Sequence, residues 1–287
     1  MRVLITNDDG IAAPGLRRLA AASADAGHEV TVAAPMAEAS GSSAALTAVA
    51  ADGRVVVERR QFAELPQVTA YAVEASPAYI ALLATLGAFG AAPDVVLSGI
   101  NRGANAGHAV LHSGTVGAAF TAANGGHRCL AVSLDVLSPA AASASSGGAA
   151  IAALDEVDDE SRHWDTAARL AVALLPAVAA APAGTVLNLN VPDVPWPRLR
   201  GVRRGTLAAF GQVQMALAES GEGYVRTAIE ENGARLRPGT DLAFLAEGYA
   251  CVTPVRAAVD AHDVPLELDL DALVPSPSPS PDSRPAG

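Results

Sequence analysis

Two adjacent carboxylates, Asp8 and Asp9, stand between Asn7 and Gly10, directly after the short apolar segment from Val3 to Thr6. Unpaired negative charges this close together raise each other's pKa and repel a phosphate group. A hard dication such as Mg²⁺ or Mn²⁺ removes both difficulties, because it takes oxygen ligands and bridges to phosphate oxygens. The alternative is that one of the aspartates caps the following helix. The position of the pair at a strand end favours the metal.

Three further polar segments could bring oxygen atoms to the same place. The first is 40–43, with three serines around a glycine, and taken alone it is also typical of a flexible surface loop. The second is 98–107, where Asn101 and Asn105 offer amide oxygens between regularly spaced glycines. The third, 113–116, opens a predicted helix, whose hydroxyls and free backbone N–H groups suit a phosphate. A dinucleotide-binding turn is excluded at the first loop, since carboxylates replace the glycines it needs.

All these segments follow predicted strands in an alternating pattern of strands and helices. Strands are predicted at 3–6, 29–34, 54–58, 68–73, 94–97, 129–134 and 186–191, and helices at 16–26, 78–86, 114–123 and 164–179. This alternation predicts an α/β fold with a mostly parallel sheet and helices on both faces. Ligands of such sheets bind at the carboxyl ends of the strands, where the polar segments lie.

The composition changes along the chain and predicts its organisation. Residues 1–199 form the predicted core, interrupted by an Ala/Ser/Gly-rich surface insertion at 138–160. Short β-like pieces at 200–238 predict a protruding hairpin or small subdomain that serves oligomerisation. Residues 239–274 return to the core, and the Pro/Ser-rich tail at 275–287 is predicted to be disordered.

Charge and composition limit the possible partners. The formal net charge is −11 and the 19 Lys and Arg residues are scattered, which argues against a groove for a nucleic-acid polymer. A small phosphorylated substrate still fits if a metal or backbone N–H groups offset the repulsion. No apolar run is long enough to span a bilayer, and the N-terminus runs directly into a strand. With two cysteines expected to be reduced, we predict a cytoplasmic protein without a membrane partner.

The motifs, taken in order, resemble those of the SurE survival proteins, which are 5′/3′-nucleotidases and acid phosphatases. The likeness spans about residues 1–262. It rests on the segments Asn7-Asp8-Asp9-Gly10, Pro14-Gly15, Ser40-Gly41, Ser98-Gly99-Ile100-Asn101, Ser113-Gly114-Thr115-Val116, Leu187-Asn188-Leu189-Asn190 and Gly239-Thr240-Asp241.

The resemblance implies a Rossmann-like core, a divalent metal (Mg²⁺ or Mn²⁺), and homodimers or homotetramers. It implies that the catalytic residues are Asp8 and Asp9. The implied metal ligands are Asp8, Asp9, Ser40 and Asn101. The implied phosphate-binding residues are Asn7, Ser43, Asn105, Ser113, Gly114 and Thr115.

The chain departs from the family pattern around the pocket. Tyr79 stands where the family has an aspartate, and His108, Ala109 and His112 replace an acidic pair and a tyrosine. His108 and His112 are either rim residues or proton donors to the leaving group, since a histidine titrates near neutrality. The expected function is hydrolysis of nucleoside monophosphates. The alternatives are a phosphatase dedicated to a biosynthetic sugar or modified-nucleoside phosphate, and a non-catalytic homologue that binds metal or nucleotide.

Overall fold

The structure is a computed structural model, and it describes residues 1–48, 50–136, 158–209, 213–221, 224–231 and 236–260. The chain divides into a unit of Met1–Ala257 and a unit of Ala258–Gly287, of which only the first three residues are described. Most of the predicted insertion and the whole predicted tail lie outside the described residues. No helix in the described part of the chain is long and apolar enough to cross a membrane.

Strands and helices alternate through most of the chain. The strands are β1 Arg2–Thr6, β2 Glu29–Pro35, β3 Ala50–Ala51, β4 Arg54–Val55, β5 Val57–Arg60, β6 Thr69–Val73, β7 Val95–Arg102, β8 Arg128–Asp135, β9 Thr185–Pro192, β10 Val202–Arg204, β11 Val213–Gly221, β12 Tyr224–Glu231 and β13 Ala250–Arg256. The helices are α1 Pro14–Asp25, α2 Pro77–Thr85, α3 Gly114–Asn124, α4 Trp164–Ala180 and α5 Asp241–Ala246. Short 3₁₀ helices cover Gly107–His112, Asp159–Ser161 and Trp196–Arg198.

The main sheet has nine strands in the order β10-β13-β9-β8-β7-β1-β2-β6-β5. Its six central strands, from β9 to β6, are mutually parallel. Strand β5 is antiparallel to β6, and β13 is antiparallel to β9. The α/β fold with a mostly parallel sheet is therefore confirmed, with antiparallel strands added at both edges.

Helices cover both faces because successive side chains of a strand point to opposite sides. On one face, Val3 and Ile5 of β1 pack in a cluster with Leu16 of α1 and residues of α4. On the other face, Leu4 packs in a second cluster with residues of α2 and α3, including Ile80. The helices thus form a layer on each side of the sheet, as predicted.

The strand order reverses at β1, which places a crevice at the carboxyl ends of β1 and β7. The chain passes from β1 to β2 on one side, and β7 later joins β1 on the other side. In open α/β sheets ligands bind at such a switch point. The loop after β1 carries Asp8 and Asp9, and the C-terminal end of β7 carries Asn101.

Two predicted boundaries were wrong. Strand β7 continues to Arg102, although a strand ending at Leu97 was predicted; its pairing with β8 shifts register between Ser98 and Asn101. The reason is the backbone at Gly99, which has φ of 139° and lies so close to β8 that an added Cβ would stand 2.2 Å from the carbonyl oxygen of Val132. Predicted strand 54–58 is divided between β4 and β5.

Residues beyond β10 include a separate antiparallel hairpin. Strands β11 and β12 pair with each other, with an irregularity between Leu217 and Glu219. They form a two-stranded sheet and are not part of the nine-stranded one. The chain then returns through α5 to β13, which lies between β9 and β10. The assignment of the hairpin to oligomerisation stays a prediction.

Candidate active site

Asp8 and Asp9 lie at the centre of the site, where β1 ends. Asp8 is 4% exposed and Asp9 is half-buried. Burial raises the pKa of Asp8, although hydrogen bonds from Thr115 oppose the change. Burial, followed by the negative charge of Asp8, raises the pKa of Asp9 to about 7. The charges of Glu38 and Asp159 make smaller contributions to this rise, and the hydrogen bond from the backbone of Arg102 opposes it.

A single hydroxyl connects three of the polar segments. The Oγ1 atom of the fully buried Thr115 donates a hydrogen bond to Oδ1 of Asp8, and it also lies 3.3 Å from Oδ1 of Asn101. The Nδ2 group of Asn101 donates to the carbonyl oxygen of Gly103 at 2.7 Å, which fixes the amide oxygen toward Thr115. Two oxygen atoms, one from the loop after β1 and one from β7, therefore meet at the first turn of α3.

Asp9 is held to the end of β7 by the backbone. Its Oδ2 atom accepts a hydrogen bond from the N–H of Arg102 at 3.1 Å, directly beside Asn101. The guanidinium of Arg102 extends to Asp159, with 3.3 Å between Nε and Oδ1. The carboxylate of Asp9 is thus fixed by a neutral backbone donor, while the positively charged side chain of Arg102 pairs with Asp159.

Helix α3 begins against Asp8. Ser113 is the N-cap, and its Oγ atom accepts a hydrogen bond from the N–H of Val116 at 3.1 Å. The N–H groups of Gly114 and Thr115 lie at the N-terminal end of the helix, and their hydrogen bonds to Asp8 lower the pKa of its carboxyl group. A Cβ atom added at Gly114 would stand 2.7 Å from Oδ2 of Asp8, so only glycine allows this approach.

The serines after β2 have different positions. Ser40 is exposed and donates to Oε1 of Glu38 at 2.6 Å, while the neighbouring N–H of Ala39 donates to the carbonyl oxygen of Asp8 at 2.7 Å. Ser43 donates to the carbonyl oxygen of Leu111 and ties the loop to the 3₁₀ helix. Ser40 is therefore next to a residue that is hydrogen-bonded to the backbone of Asp8. The hydroxyl of Ser43 is instead used to hold the loop against the 3₁₀ helix.

Ser42 is the serine that the sequence reasoning missed. A Cβ atom added at Gly114 would stand 2.6 Å from Oγ of Ser42, close to Asp8 as well. This buried Oγ atom has no hydrogen-bond partner among the described residues. The segment 40–43 predicted serine hydroxyls at the site, but a sequence of three serines does not reveal which one points inward.

Asn105 is fixed by residues of β8 and β9. Its carbonyl oxygen accepts hydrogen bonds from Nδ2 of Asn188 and of Asn190, at 2.8 and 3.0 Å. Its own Nδ2 group donates to Oγ of Ser133 at 2.9 Å. The side chain of Asn105 is therefore engaged with β8 in this structure, and its predicted contact with phosphate stays a prediction.

The remaining predicted residues lie at the edge or beneath the site. His108 and His112 are exposed on the 3₁₀ helix that precedes α3. Asn7 is fully buried, and its Nδ2 group donates to the carbonyl oxygen of Gly10 at 3.0 Å. The Oδ1 atom of Asn7 has no hydrogen-bond partner in the described part of the chain.

These atoms fit a hard divalent cation. Asp8, Asp9, Asn101 and Ser42 offer carboxylate, amide and hydroxyl oxygens, which Mg²⁺ and Mn²⁺ prefer, and the amide nitrogen of Asn101 is bonded to Gly103. Among the described residues there is no group of three or more His, Cys, Asp or Glu side chains that could hold a metal ion. A cation at the two aspartates would therefore complete its shell with neutral oxygens. It would also neutralise two carboxylates that are costly to bury as anions.

Comparisons with known proteins agree with this geometry. The family model described as "Survival protein SurE" matches residues 3–215. A relative named 5′-nucleotidase SurE, from Actinobacillus pleuropneumoniae, is 34% identical over 267 residues, covering 91% of this chain and 96% of the relative. A relative named 5′/3′-nucleotidase SurE, from Edwardsiella ictaluri, is 34% identical over 274 residues, covering 91% and 92%.

A solved structure extends the likeness to the fold. The crystal structure of the SurE protein from Aquifex aeolicus matches with a TM-score of 0.69 and 25% identity, covering 92% of this chain and 96% of that one. The family match takes in the loop after β1, strand β7 and the start of α3, which together carry Asp8, Asn101 and Thr115. This chain therefore belongs to the SurE family of survival proteins.

Proposed function

We propose that this chain is a divalent-metal-dependent phosphomonoesterase that hydrolyses nucleoside monophosphates at the 5′ or 3′ position. The observation that carries the proposal is the meeting of Asp8 and Asn101 at the Thr115 hydroxyl, at the N-terminus of α3. The names of the relatives from Actinobacillus pleuropneumoniae and Edwardsiella ictaluri support the nucleotide as substrate. The proposal includes Mg²⁺ or Mn²⁺ as the cation.

Asp8, Asp9 and Asn101 are the proposed metal ligands, with Ser40 or Ser42 as the hydroxyl nearest to them. When bound, the cation supplies positive charge to a phosphoryl oxygen and lowers the pKa of a water molecule. The chain's own residues fix the ligand oxygens in advance: Thr115 orients Asp8, and Gly103 orients Asn101. This preorganisation reduces the cost of ordering the site when substrate binds.

The start of α3 is the proposed phosphate site. Backbone N–H groups at a helix N-terminus attract anions, and those of Gly114 and Thr115 face Asp8. A bound cation would neutralise the charge of Asp8. The two N–H groups could then donate hydrogen bonds to the phosphoryl oxygens. Ser113, as the N-cap, keeps the first turn in place. We assign the exposed His108 and His112 to the rim.

We also propose a cytoplasmic protein that forms homodimers or homotetramers. The buried cysteines, Cys129 and Cys251, are both free thiols, which is typical of a reducing compartment. Burial raises the pKa of the Cys129 thiol to about 12, so that thiol is packed rather than reactive.

The test is phosphate release from nucleoside monophosphates, sugar phosphates and phenyl phosphate, measured after chelation and again after adding Mg²⁺ or Mn²⁺. We expect activity only with added metal. Asp8→Asn and Asp9→Asn should each lower kcat/KM by about 100-fold or more, since each removes a charged ligand. Asp25→Asn, at the exposed end of α1, is the matched control and should keep wild-type turnover.

Two results would contradict the proposal. Wild-type turnover in both the Asp8 and the Asp9 variants would exclude their metal role. A wild-type protein that binds Mn²⁺ and hydrolyses nothing on the panel would be a non-catalytic homologue. A single strong substrate among the sugar phosphates would instead indicate a dedicated biosynthetic phosphatase.

A further inference from the structure

A cleft of about 490 Å³ opens at the carboxyl ends of β2 and β6, beside the proposed metal site. Ser42 lines both the cleft and the site, and Ser40 lines the cleft. On the other side of the site, Asn188 and Asn190 of β9 donate hydrogen bonds to Asn105 and hold the loop after β7 against the sheet. A phosphate ester held at the start of α3 therefore has this cleft as an adjoining space for its leaving group.

The walls of the cleft are fixed by hydrogen bonds from both sides. Ser76, the N-cap of α2, donates to the carbonyl oxygen of Ala45 at 2.5 Å and accepts from the N–H of Thr47 at 3.1 Å. Ala48 and Ala75, which also line the cleft, form an antiparallel bridge. The loop after β2 is thereby held against α2, so the cleft is a preformed feature.

Glu74 is the charged residue of this cleft. It is half-buried, and of the described residues that line the cleft it is the only one with a formal charge. Its carboxylate makes no hydrogen bond or ion pair with the described residues, whereas its backbone N–H donates to the carbonyl oxygen of Val56 at 3.0 Å. A half-buried anion without a partner favours a ligand that brings hydrogen-bond donors.

Building on the proposed phosphomonoesterase activity, we infer that this cleft binds the leaving group of the substrate and that Glu74 selects it. The carboxylate of Glu74 accepts hydrogen bonds from a neutral group with several donors, such as the diol of a ribose or the amino group of a base. The same charge repels a leaving group that carries a second phosphate. Glu74 is thus a specificity-determining residue, and the preferred leaving group is an uncharged nucleoside.

The kinetic test compares 5′-AMP, adenosine 3′,5′-bisphosphate and phenyl phosphate in the metal-loaded protein. In Glu74→Gln, we expect the ratio of kcat/KM for 5′-AMP to that for phenyl phosphate to fall about tenfold, the usual effect of losing a charge-assisted hydrogen bond. The ratio for the bisphosphate to that for 5′-AMP should rise about tenfold, because the repulsive charge is gone. Glu29→Gln, at the opposite end of β2, is the matched control and should change neither ratio.

A second variant tests the cleft without changing its charge. Thr47 is exposed in the cleft wall, and the hydrogen bonds that hold it use its backbone. Thr47→Phe should fill the cleft and lower the 5′-AMP to phenyl phosphate ratio without raising the relative rate of the bisphosphate. Both ratios unchanged within twofold in both variants would overturn the inference.

Binding of adenosine, measured by calorimetry without metal or phosphate, separates this inference from the proposed function. We expect wild-type protein to bind adenosine, and Glu74→Gln and Thr47→Phe to bind it at least about tenfold more weakly. If wild type binds adenosine in this manner but hydrolyses no ester, the cleft assignment stands and the proposed function fails. If it hydrolyses the esters and all three proteins bind adenosine equally, the cleft assignment fails.

Discussion

Burial gives Asp9 a different charge in the metal-free and metal-bound protein. Its pKa of about 7 means that protonated and ionised forms are both present at neutral pH, mainly because the carboxylate is desolvated and then because Asp8 is adjacent. A bound dication would reverse both effects and keep the carboxylate ionised. The residue that best suits the metal is therefore also a source of instability when the metal is absent.

The pH dependence of stability should reveal this cost in the chelated protein. An aspartate ordinarily titrates near pH 4, so between about pH 4 and 7 the folded state holds a proton at Asp9 that the unfolded state has lost. Stability must then fall as pH rises through this window, and the penalty is complete above it. Asp9→Asn cannot titrate and lacks the penalty. Relative to wild type, we expect its free energy of unfolding to increase by roughly 1–3 kcal/mol from pH 5 to pH 8.

Urea unfolding with a chelator present, at both pH values, is the measurement. Asp25→Asn is again the control, because that residue is exposed. With saturating Mn²⁺ the order should reverse at pH 8, since metal stabilises only the protein that binds it. A difference between Asp9→Asn and wild type that does not change with pH would show that Asp9 is not the buried acid described above.

At the scale of elements, hydrophobic patterns predicted most of the sheet. The strands β1, β2, β8 and β9 and the helices α1 to α4 were predicted to within a few residues of their ends, because each has an apolar pattern with the period of its element. The extension of β7 to Arg102 was missed. Its glycines indicated a loop, whereas the close approach of Gly99 to β8 keeps the chain in the sheet.

The site was predictable to the level of segments and less so to the level of atoms. Asp8, Asn101 and Thr115 could be brought together from sequence because parallel strands end at one edge. The inward position of Ser42 depends on Gly114, which lies far away in sequence. The support of Asn105 by Asn188 and Asn190 likewise depends on strand register, which short-range patterns do not specify.

Helix α5 connects the returning C-terminal part to the loop before α3. The fully buried Asp241 accepts hydrogen bonds from the N–H of Gly107 at 2.8 Å through Oδ2, and from the N–H groups of Ala208 and Leu242 at 2.9 Å through Oδ1. One carboxylate thus joins three parts of the backbone. Its sequence signal, Gly239-Thr240-Asp241, gave no indication of this role.

Replacing Asp241 should therefore disturb the loop before α3 more than it disturbs the metal ligands. In Asp241→Asn the amide group faces a backbone N–H that needs an acceptor, so we expect a loss of about 2–3 kcal/mol in the free energy of unfolding. KM for 5′-AMP should rise, because the loop that leads to His108 loses its anchor. Mn²⁺ affinity should change little, since the described contacts of Asp241 include neither Asp8 nor Asp9.

Urea unfolding, steady-state kinetics and Mn²⁺ titration distinguish these effects. Asp165→Asn is the matched control, since that residue also lies in the first turn of a helix but is exposed, and its pairing with Arg18 spans 3.8 Å. It should cost less than about 1 kcal/mol. A fall in Mn²⁺ affinity as large as the rise in KM in Asp241→Asn would contradict a role confined to the loop.

At the scale of the whole molecule, the hairpin of β11 and β12 is the element that the core does not account for. A two-stranded hairpin is at best marginally stable in water without further packing. This one pairs only with itself among the described strands, and it carries Tyr224 with 53% of its surface exposed. Exposed tyrosine is enriched where protein surfaces meet. We propose that another copy of the chain supplies this further packing.

Replacing residues 212–232 with a short Gly-Ser linker should therefore abolish assembly and keep the core. We expect light scattering to give the mass of a dimer or tetramer for the full chain and the mass of a monomer for the replaced one. Removal of residues 275–287, the Pro/Ser-rich tail, is the control and should leave the mass of the assembly intact. The monomer should still bind Mn²⁺, because Asp8, Asp9 and Asn101 are held by β1, β7 and α3 rather than by the hairpin. An unchanged number of copies per assembly after the replacement would show that copies meet through another surface. A monomeric full chain would refute the proposed assembly itself.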